Sequence, residues 1–162
     1  QQGDSAGGIA QSKQALAELR ALGHTMYFTY RLALLAELHI QAGQFDAASA
    51  VLAEAQSISE QFHERFWDVE VHRLQGELLL AQNADPLVVE RCYLHALEIA
   101  RTQGARSLEL RVVMSLARLW HWQGRSTEAQ QLLAETYSWF REGFDTADLL
   151  NARSLLDQLT SS

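Results

Sequence analysis

Apolar residues recur every three or four positions along most of the chain, and short turn-forming stretches interrupt them. Over residues 108–122 the apolar positions follow this spacing, Gly124 comes directly afterwards, and a second apolar series starts at Ala129. Such a stripe is typical of an amphipathic helix, and glycine readily adopts the left-handed conformation that often ends one. The pattern predicts two antiparallel helices joined at a tight corner. We expect Ser126 or Thr127 to cap the second helix.

This helix–corner–helix pattern occurs three times. Small residues at positions 36, 76 and 117 are each followed by a corner, and their spacing is about 40 residues, which is typical of helical solenoids. Small side chains at these positions would let two helices approach closely. We therefore predict an all-α fold, a right-handed α-solenoid of about eight helices in one domain over residues 9–162. Its parts are an unpaired helix at 9–22, hairpins at 25–62, 64–103 and 107–142, and a capping helix at 146–160, with residues 1–8 as a linker or cloning remnant.

The two end helices carry separate expectations. The helix at 9–22 resembles the second helix of an earlier repeat, so its apolar flank could pair two chains as a homodimer through the N-terminal helix. Leu16→Glu or Leu19→Glu should then give monomers. In the closing helix, Asp145 and Asp148 have the spacing of a capping box.

These small residues and glycine corners, together with alanines at Ala48, Ala55 and Ala96, resemble the tetratricopeptide-repeat family. A narrower resemblance involves the run starting at His72 (HRLQGELLLAQ) and the string 139–146 (WFREGFDT). These are similar to the C-terminal repeat region of large bacterial signalling proteins, where repeats follow an ATPase and a cyclase-like or DNA-binding domain. The resemblance implies a noncatalytic protein-interaction or regulatory scaffold module in the cytoplasm. Its partner would be a protein or peptide segment, or upstream domains of the same chain.

In tetratricopeptide-like stacks the first helix of each hairpin lines the concave face, which implies a groove with aromatic ends. Here Arg73, Arg111 and Arg118 would either engage a partner's carboxylates or form internal ion pairs, as the spacing of Arg73 from neighbouring glutamates allows. Trp120 is expected to pack and Trp122 to be accessible. The predicted groove residues are Tyr30, Glu37, Gln41, Glu70, Arg73, Glu77, Arg111, Met114, Arg118 and Trp122. The alternative is a small-molecule effector-sensing domain of a transcription activator-like ATPase, with an enclosed pocket near Trp122 and Arg118.

Composition narrows the function further. The net charge of −7 over 162 residues disfavours nucleic acid, because few phosphates could be neutralised. No apolar run is long enough to span a membrane, and the single cysteine, Cys92, fits a structural thiol in a reducing compartment. Six histidines lack the spacing of a metal site, and no nucleophile or phosphate-binding motif is present. We therefore expect no catalytic residues, no metal and no cofactor.

Overall fold

The predicted helical periodicity is realised in a computed structural model that describes residues 2–21, 28–63 and 65–161. Over these ranges the protein is all-helical and contains no strand, which confirms the predicted all-α class. A single 3₁₀ turn, Arg65–Trp67, precedes the fourth helix. The helices are α1 (Gln2–Ala21), α2 (Phe28–Gln41), α3 (Phe45–Phe62), α4 (Asp68–Ala81), α5 (Pro86–Gln103), α6 (Arg106–Trp122), α7 (Ser126–Tyr137) and α8 (Ala147–Thr160).

Four helix ends close in the same way. Gly43, Asn83, Gly104 and Gly124 all have φ values between 58° and 80°, in the left-handed region. At each, the following N–H donates to the carbonyl oxygen five residues earlier, at 2.8–3.0 Å. This satisfies carbonyl groups that a helix end otherwise leaves unpaired. The corners after α2, α4, α5 and α6 therefore have the same backbone conformation and hydrogen bond. They include the left-handed corner predicted at Gly124.

The chain divides into two compact units, Gln1–Val89 and Glu90–Ser162. In the first unit, α2 pairs with α3, α1 packs on α2, and α4 contacts both α2 and α3. Ala36, Ala48 and Ala55 are fully buried, which lets the backbones of α2 and α3 approach closely. Larger apolar side chains surround them and complete the core, among them Ile9, Leu16, Phe28, Leu32, Leu35, Leu52, Val71, Leu74 and Leu78.

In the second unit, α6 pairs with α7, and α8 contacts both of them. Most of α6 is buried, including adjacent pairs such as Val112 and Val113, so this helix is covered on more than one side. Ala117, Ala129 and Ala152 are fully buried and provide the close approach of helices here. Helix α6, the first helix of the sequence pattern around Gly124, thus lies at the centre of this unit.

Two predicted boundaries differ from the structure. Helix α1 begins at Gln2, within the predicted linker, and its Gly8 lies close enough to Leu38 that an added Cβ would be 3.6 Å from that side chain. Packing here offsets the low helix propensity of glycine. Helix α7 ends at Tyr137 rather than at residue 142, because Trp139 turns away to lie under the Arg106 guanidinium, 4.0 Å from its ring centre.

The predicted helix caps are also corrected. Helix α7 has no side-chain cap, and the Ser126 hydroxyl instead lies 2.8 Å from His121 Nδ1. Helix α8 starts after Thr146 without a side-chain cap, and Asp148 pairs with Arg111 rather than completing a capping box with Asp145. Because Thr146 rather than Asp145 occupies the cap position, residues 145 and 148 do not have the register of a capping box, and the Asp148 carboxylate binds the Arg111 guanidinium instead.

Leu16 is 4 % exposed and belongs to the core of the first unit. The side chain of Leu19 lies outside the described residues, as does the predicted start of the first hairpin at residue 25. Leu16→Glu would therefore disturb the core of the first unit whether or not two chains pair. A homodimer through α1 stays a prediction that needs a different substitution to test it.

Candidate functional site

Four charged residues connect α2 and α4 in the first unit, and we call them the acidic cluster: Glu37, Glu70, Arg73 and Glu77. Arg73 makes two bonds to Glu70, from Nε to Oε2 at 3.0 Å and from Nη2 to Oε1 at 2.7 Å. Its Nη2 also donates to Glu37 Oε1 at 3.2 Å, and its Nη1 to Glu77 Oε1 at 3.4 Å. One guanidinium therefore holds three carboxylates, and the bond to Glu37 joins two helices.

The acidic cluster is buried at its centre and exposed at its edges. The side chains of Arg73 and Glu70 are 10 % and 3 % exposed, whereas those of Glu37 and Glu77 are 36 % and 30 % exposed. Burial acts to lower the pKa of Arg73, but its hydrogen bond to Glu70 and the three nearby carboxylates outweigh burial and raise that pKa. The guanidinium stays charged, and the four residues carry a net charge of −2.

Three aromatic residues lie at the amino-terminal end of the same two helices, and we call Tyr30, Phe66 and Trp67 the aromatic cluster. Tyr30 stacks on Trp67 with ring centres 4.3 Å apart, and Phe66 meets Trp67 edge-on at 5.1 Å. Trp67 ends the 3₁₀ turn directly before α4. Phe66 is 51 % exposed. Tyr30 and Glu37 are seven residues apart on α2, about two helical turns, so they lie on the same side of that helix. Both contact residues at or beside α4, and we call the surface formed by the aromatic and acidic clusters the α2–α4 face.

The predicted groove residues of the second unit have different environments. Arg111 donates from Nε to Asp148 Oδ2 at 2.7 Å, which links α6 to α8. Met114 is buried in the core of this unit. Arg118 is exposed, and Trp122, at 71 %, is the most exposed of the large apolar side chains in the described part of the chain.

Trp120 is held at the corner between α6 and α7. Its Nε1 donates to Glu90 Oε1 at 2.6 Å, and Arg125 lies over its ring at 4.5 Å. Arg125 Nη1 also donates to the same glutamate oxygen at 3.0 Å. The pKa of Arg125 is raised, chiefly by its hydrogen bond to Glu128 and then by that to Glu90. Trp120 therefore packs and Trp122 is accessible, as expected of positions two residues apart on a helix, which face different sides.

Two of the three predicted arginines form internal ion pairs, one of the two alternatives that the sequence left open. Within the described residues, Arg73 and Arg111 are paired with carboxylates of their own units, and Arg118 is exposed. Gln41 is exposed at the last position of α2. The predicted residues of the first unit, Tyr30, Glu37, Glu70, Arg73 and Glu77, come together on the α2–α4 face. That face carries excess negative charge, rather than arginines ready to receive a partner's carboxylates.

Phe66 and Trp67 are not among the site residues that the sequence predicts. They directly follow the predicted start of a helix at residue 64, so periodicity placed them inside that helix. A 3₁₀ turn at Arg65–Trp67 instead sets the Trp67 ring against Tyr30, and Phe66 meets Trp67 edge-on. A run of two aromatic residues at a helix start, after the exposed end of α3, is the feature that could have indicated them.

The chain matches no protein-family model and no curated protein to which it was compared. Among the described residues, no group of three or more histidine, cysteine, aspartate or glutamate side chains is arranged to hold a metal ion. In the same part of the chain, every helix is too short or too polar to cross a membrane. Cys92 is half-buried, and burial raises the pKa of its thiol, against an opposing effect of Arg91.

Proposed function

We propose that this chain is a noncatalytic protein-interaction module whose α2–α4 face binds a basic segment of another protein or of an upstream domain. The observation that carries the proposal is the pairing of exposed aromatic surface with partly exposed carboxylates on that face. Aromatic anchors surrounded by polar groups are typical of the energetically important centre of protein interfaces.

The distribution of charge between the two units supports a basic partner. The first unit contains five lysine or arginine residues against eleven aspartate or glutamate residues, a net charge of −6, whereas the second contains eight against nine, a net charge of −1. The negative field is therefore concentrated in the unit that holds the α2–α4 face. Such a field speeds the approach of a positively charged segment, and the effect falls with ionic strength.

The helical arrangement supports a repeat architecture. In each unit the first helix of a hairpin also contacts the next helix but one, α2 with α4 and α6 with α8. This is the neighbour pattern of stacked hairpins, in which each hairpin covers the apolar face of the one before. An α-solenoid of the tetratricopeptide type is the architecture we propose, and its place at the C-terminal end of a bacterial signalling protein remains a proposal from sequence resemblance.

In that setting the module would act by population shift. A partner that prefers one arrangement of the α2–α4 face moves the equilibrium by the difference between its affinities for the two arrangements. The upstream ATPase would be held in, or released from, a signalling state accordingly.

A display experiment tests the partner chemistry. Random 12-residue peptides would be selected on the purified chain, and the enriched sequence synthesised with a fluorophore for anisotropy titration. We expect enriched peptides to carry lysine or arginine beside an apolar residue. Phe66→Ala should weaken binding about tenfold or more, because truncating an aromatic hot-spot residue typically costs ~2 kcal/mol or more and ~1.4 kcal/mol is already tenfold. Glu77→Gln should weaken it about fivefold, since a partly exposed ion pair contributes up to ~1 kcal/mol.

Matched controls separate the face from general surface effects. Glu60→Gln removes an exposed carboxylate of α3, and Leu150→Ala removes a side chain of α8 that is as exposed as Phe66. Both should leave the affinity unchanged, and raised salt should weaken binding of the wild type more than that of Glu77→Gln. The proposal that the α2–α4 face binds a basic segment would be rejected if the selected peptides were not enriched in lysine or arginine. It would also be rejected if Phe66→Ala and Leu150→Ala changed the affinity equally.

A further inference from the structure

The segment between α7 and α8 borders a cleft in the second unit that none of the predicted site residues lines. The cleft has a volume of about 660 Å³ and opens to solvent. This volume lies within the range of small-molecule sites, roughly 300–1,000 Å³. We call it the Trp139 cleft, and its lining residues are Arg106, Ser138, Trp139, Phe140, Arg141 and Glu142.

Arg106 is held in place while much of it remains accessible. Its guanidinium lies 4.0 Å above the Trp139 ring, and its Nη1 donates to Glu109 Oε2 at 3.3 Å. The Glu109 carboxylate is fully buried and also accepts a bond of 2.8 Å from Arg101. The Arg106 side chain is nevertheless 58 % exposed. Its other N–H donors can therefore reach a ligand without releasing Glu109, because a guanidinium has five donors.

The second cation of the cleft is Arg141. It is exposed and makes no hydrogen bond or ion pair within the described part of the chain. Helix α6 begins at Arg106 without a side-chain cap, so the positive end of its dipole adds to the field at this edge of the cleft. Opposing these is Glu142, which is also exposed. Two arginines against one glutamate leave the lining with a net charge of +1.

The apolar part of the lining consists of two aromatic side chains. Trp139 and Phe140 are both half-buried, so each ring is fixed by the protein while part of its surface borders the cleft. Aromatic rings pack favourably against one another in offset or edge-to-face arrangements. A carboxylate binds guanidinium groups through strong, charge-assisted bonds.

We propose that the Trp139 cleft binds a small organic anion that carries a planar ring, of the aromatic carboxylate class. The carboxylate is received by Arg141 and the free donors of Arg106, and the ring packs against Trp139 and Phe140. This site is separate from the α2–α4 face in its residues and opposite in its charge. It does not depend on the proposed binding of a basic segment, and either can fail alone.

Three related probes test the contributions of charge and ring. Uniformly ¹⁵N-labelled protein would be titrated with indole-3-acetate, with the neutral indole-3-acetamide and with acetate, to about 10 mM, and followed by ¹H–¹⁵N correlation spectra. We expect saturable shifts of the Trp139 indole N–H and of the amides of residues 138–142 with indole-3-acetate. The amide and acetate should each bind at least about tenfold more weakly, because one lacks the charge and the other the ring.

Two arginine variants make the test specific. Arg141→Gln should weaken indole-3-acetate about tenfold, whereas Arg153→Gln, an exposed arginine of α8, should have no effect. Because both residues are exposed, the spectra of the unliganded variants should otherwise match the wild type. Equal affinities for the acid and its amide, shifts centred elsewhere, or no saturation at 138–142 would each overturn the proposal.

Discussion

Replacing Arg73 with methionine tests whether the acidic cluster holds α2 and α4 together. The change keeps an apolar stem of similar length but leaves Glu70, whose side chain is 3 % exposed, without the guanidinium that binds it twice. Removing one partner of a buried ion pair typically costs ~3–5 kcal/mol, because the remaining charge stays buried. The bonds to Glu37 and Glu77 add little, since those carboxylates are about one-third exposed and are screened by solvent.

We therefore expect Arg73→Met to lower the free energy of unfolding by ~3 kcal/mol. Urea denaturation followed by far-ultraviolet circular dichroism would measure the loss. Hydrogen exchange with mass spectrometry would locate it, with greater loss of protection in α2–α4 than in α6–α8. Arg31→Met is the matched control, because Arg31 is exposed on α2, and it should change stability by less than ~0.5 kcal/mol.

A double variant distinguishes two causes of the expected loss of stability, a buried charge left without its ion-pair partner and the loss of side-chain packing. In Glu70→Leu/Arg73→Met both buried charges are replaced by apolar groups, and such replacements are often close to neutral. The double variant should regain most of the stability lost by Arg73→Met. A loss below ~1 kcal/mol in the single variant, or no recovery in the double variant, would refute this account of the cluster.

Four further outcomes follow from local geometry. Gly124→Ala should cost ~1–2 kcal/mol in a denaturation curve, because its φ is 80° and an added Cβ would meet no atom within 4 Å, so the cost is backbone strain alone. Glu90→Ala removes the acceptor of two bonds and should cost ~1–3 kcal/mol, whereas the exposed Glu98→Ala should cost under ~0.5 kcal/mol. Burial raises the pKa of Cys92, so its thiolate fraction at a given pH is lower than that of a free thiol. Alkylation by iodoacetamide should therefore be slower at pH 8 than for a free thiol, and the midpoint of the plot of alkylation rate against pH should lie at higher pH. Ala17→Arg, on the exposed side of α1, should convert a dimer to monomers in sedimentation if that helix pairs two chains, and an unchanged dimer would exclude this face.

Local rules in the sequence predicted most of the helices. The corners at Gly43 and Gly124 are defined by the conformational freedom of glycine and the apolar period on either side, both of which act over a few residues. The predicted end of α7, at residue 142, was wrong because the residues after Tyr137 contact a distant part of the chain. Trp139 lies under the Arg106 guanidinium instead of continuing the helix, and the periodicity of the sequence has no information about a contact 33 positions away.

The same limit explains the candidate site. Arg73 could be placed with Glu70 and Glu77, which are three and four residues away on one helix. Its bond to Glu37 and the bond from Arg111 to Asp148 span 36 and 37 residues and depend on how helices pack. The positions of the charges were therefore predictable, but the choice between binding a partner and binding one another was not.

If the α2–α4 face binds a basic segment as proposed, the bond from Arg73 to Glu37 would link that binding to the packing of the helices. A cationic side chain that took Glu37 Oε1 would compete with Arg73 for that oxygen, while the doubly bonded and buried Glu70 would keep Arg73 attached to α4. Such a contact would act on the packing of α2 against α4 and leave the pair within α4 intact. By linkage, any arrangement in which Arg73 has already released Glu37 binds a basic segment more tightly. Competition for this one oxygen would give the proposed α2–α4 face a physical route from binding a segment to a change in helix packing.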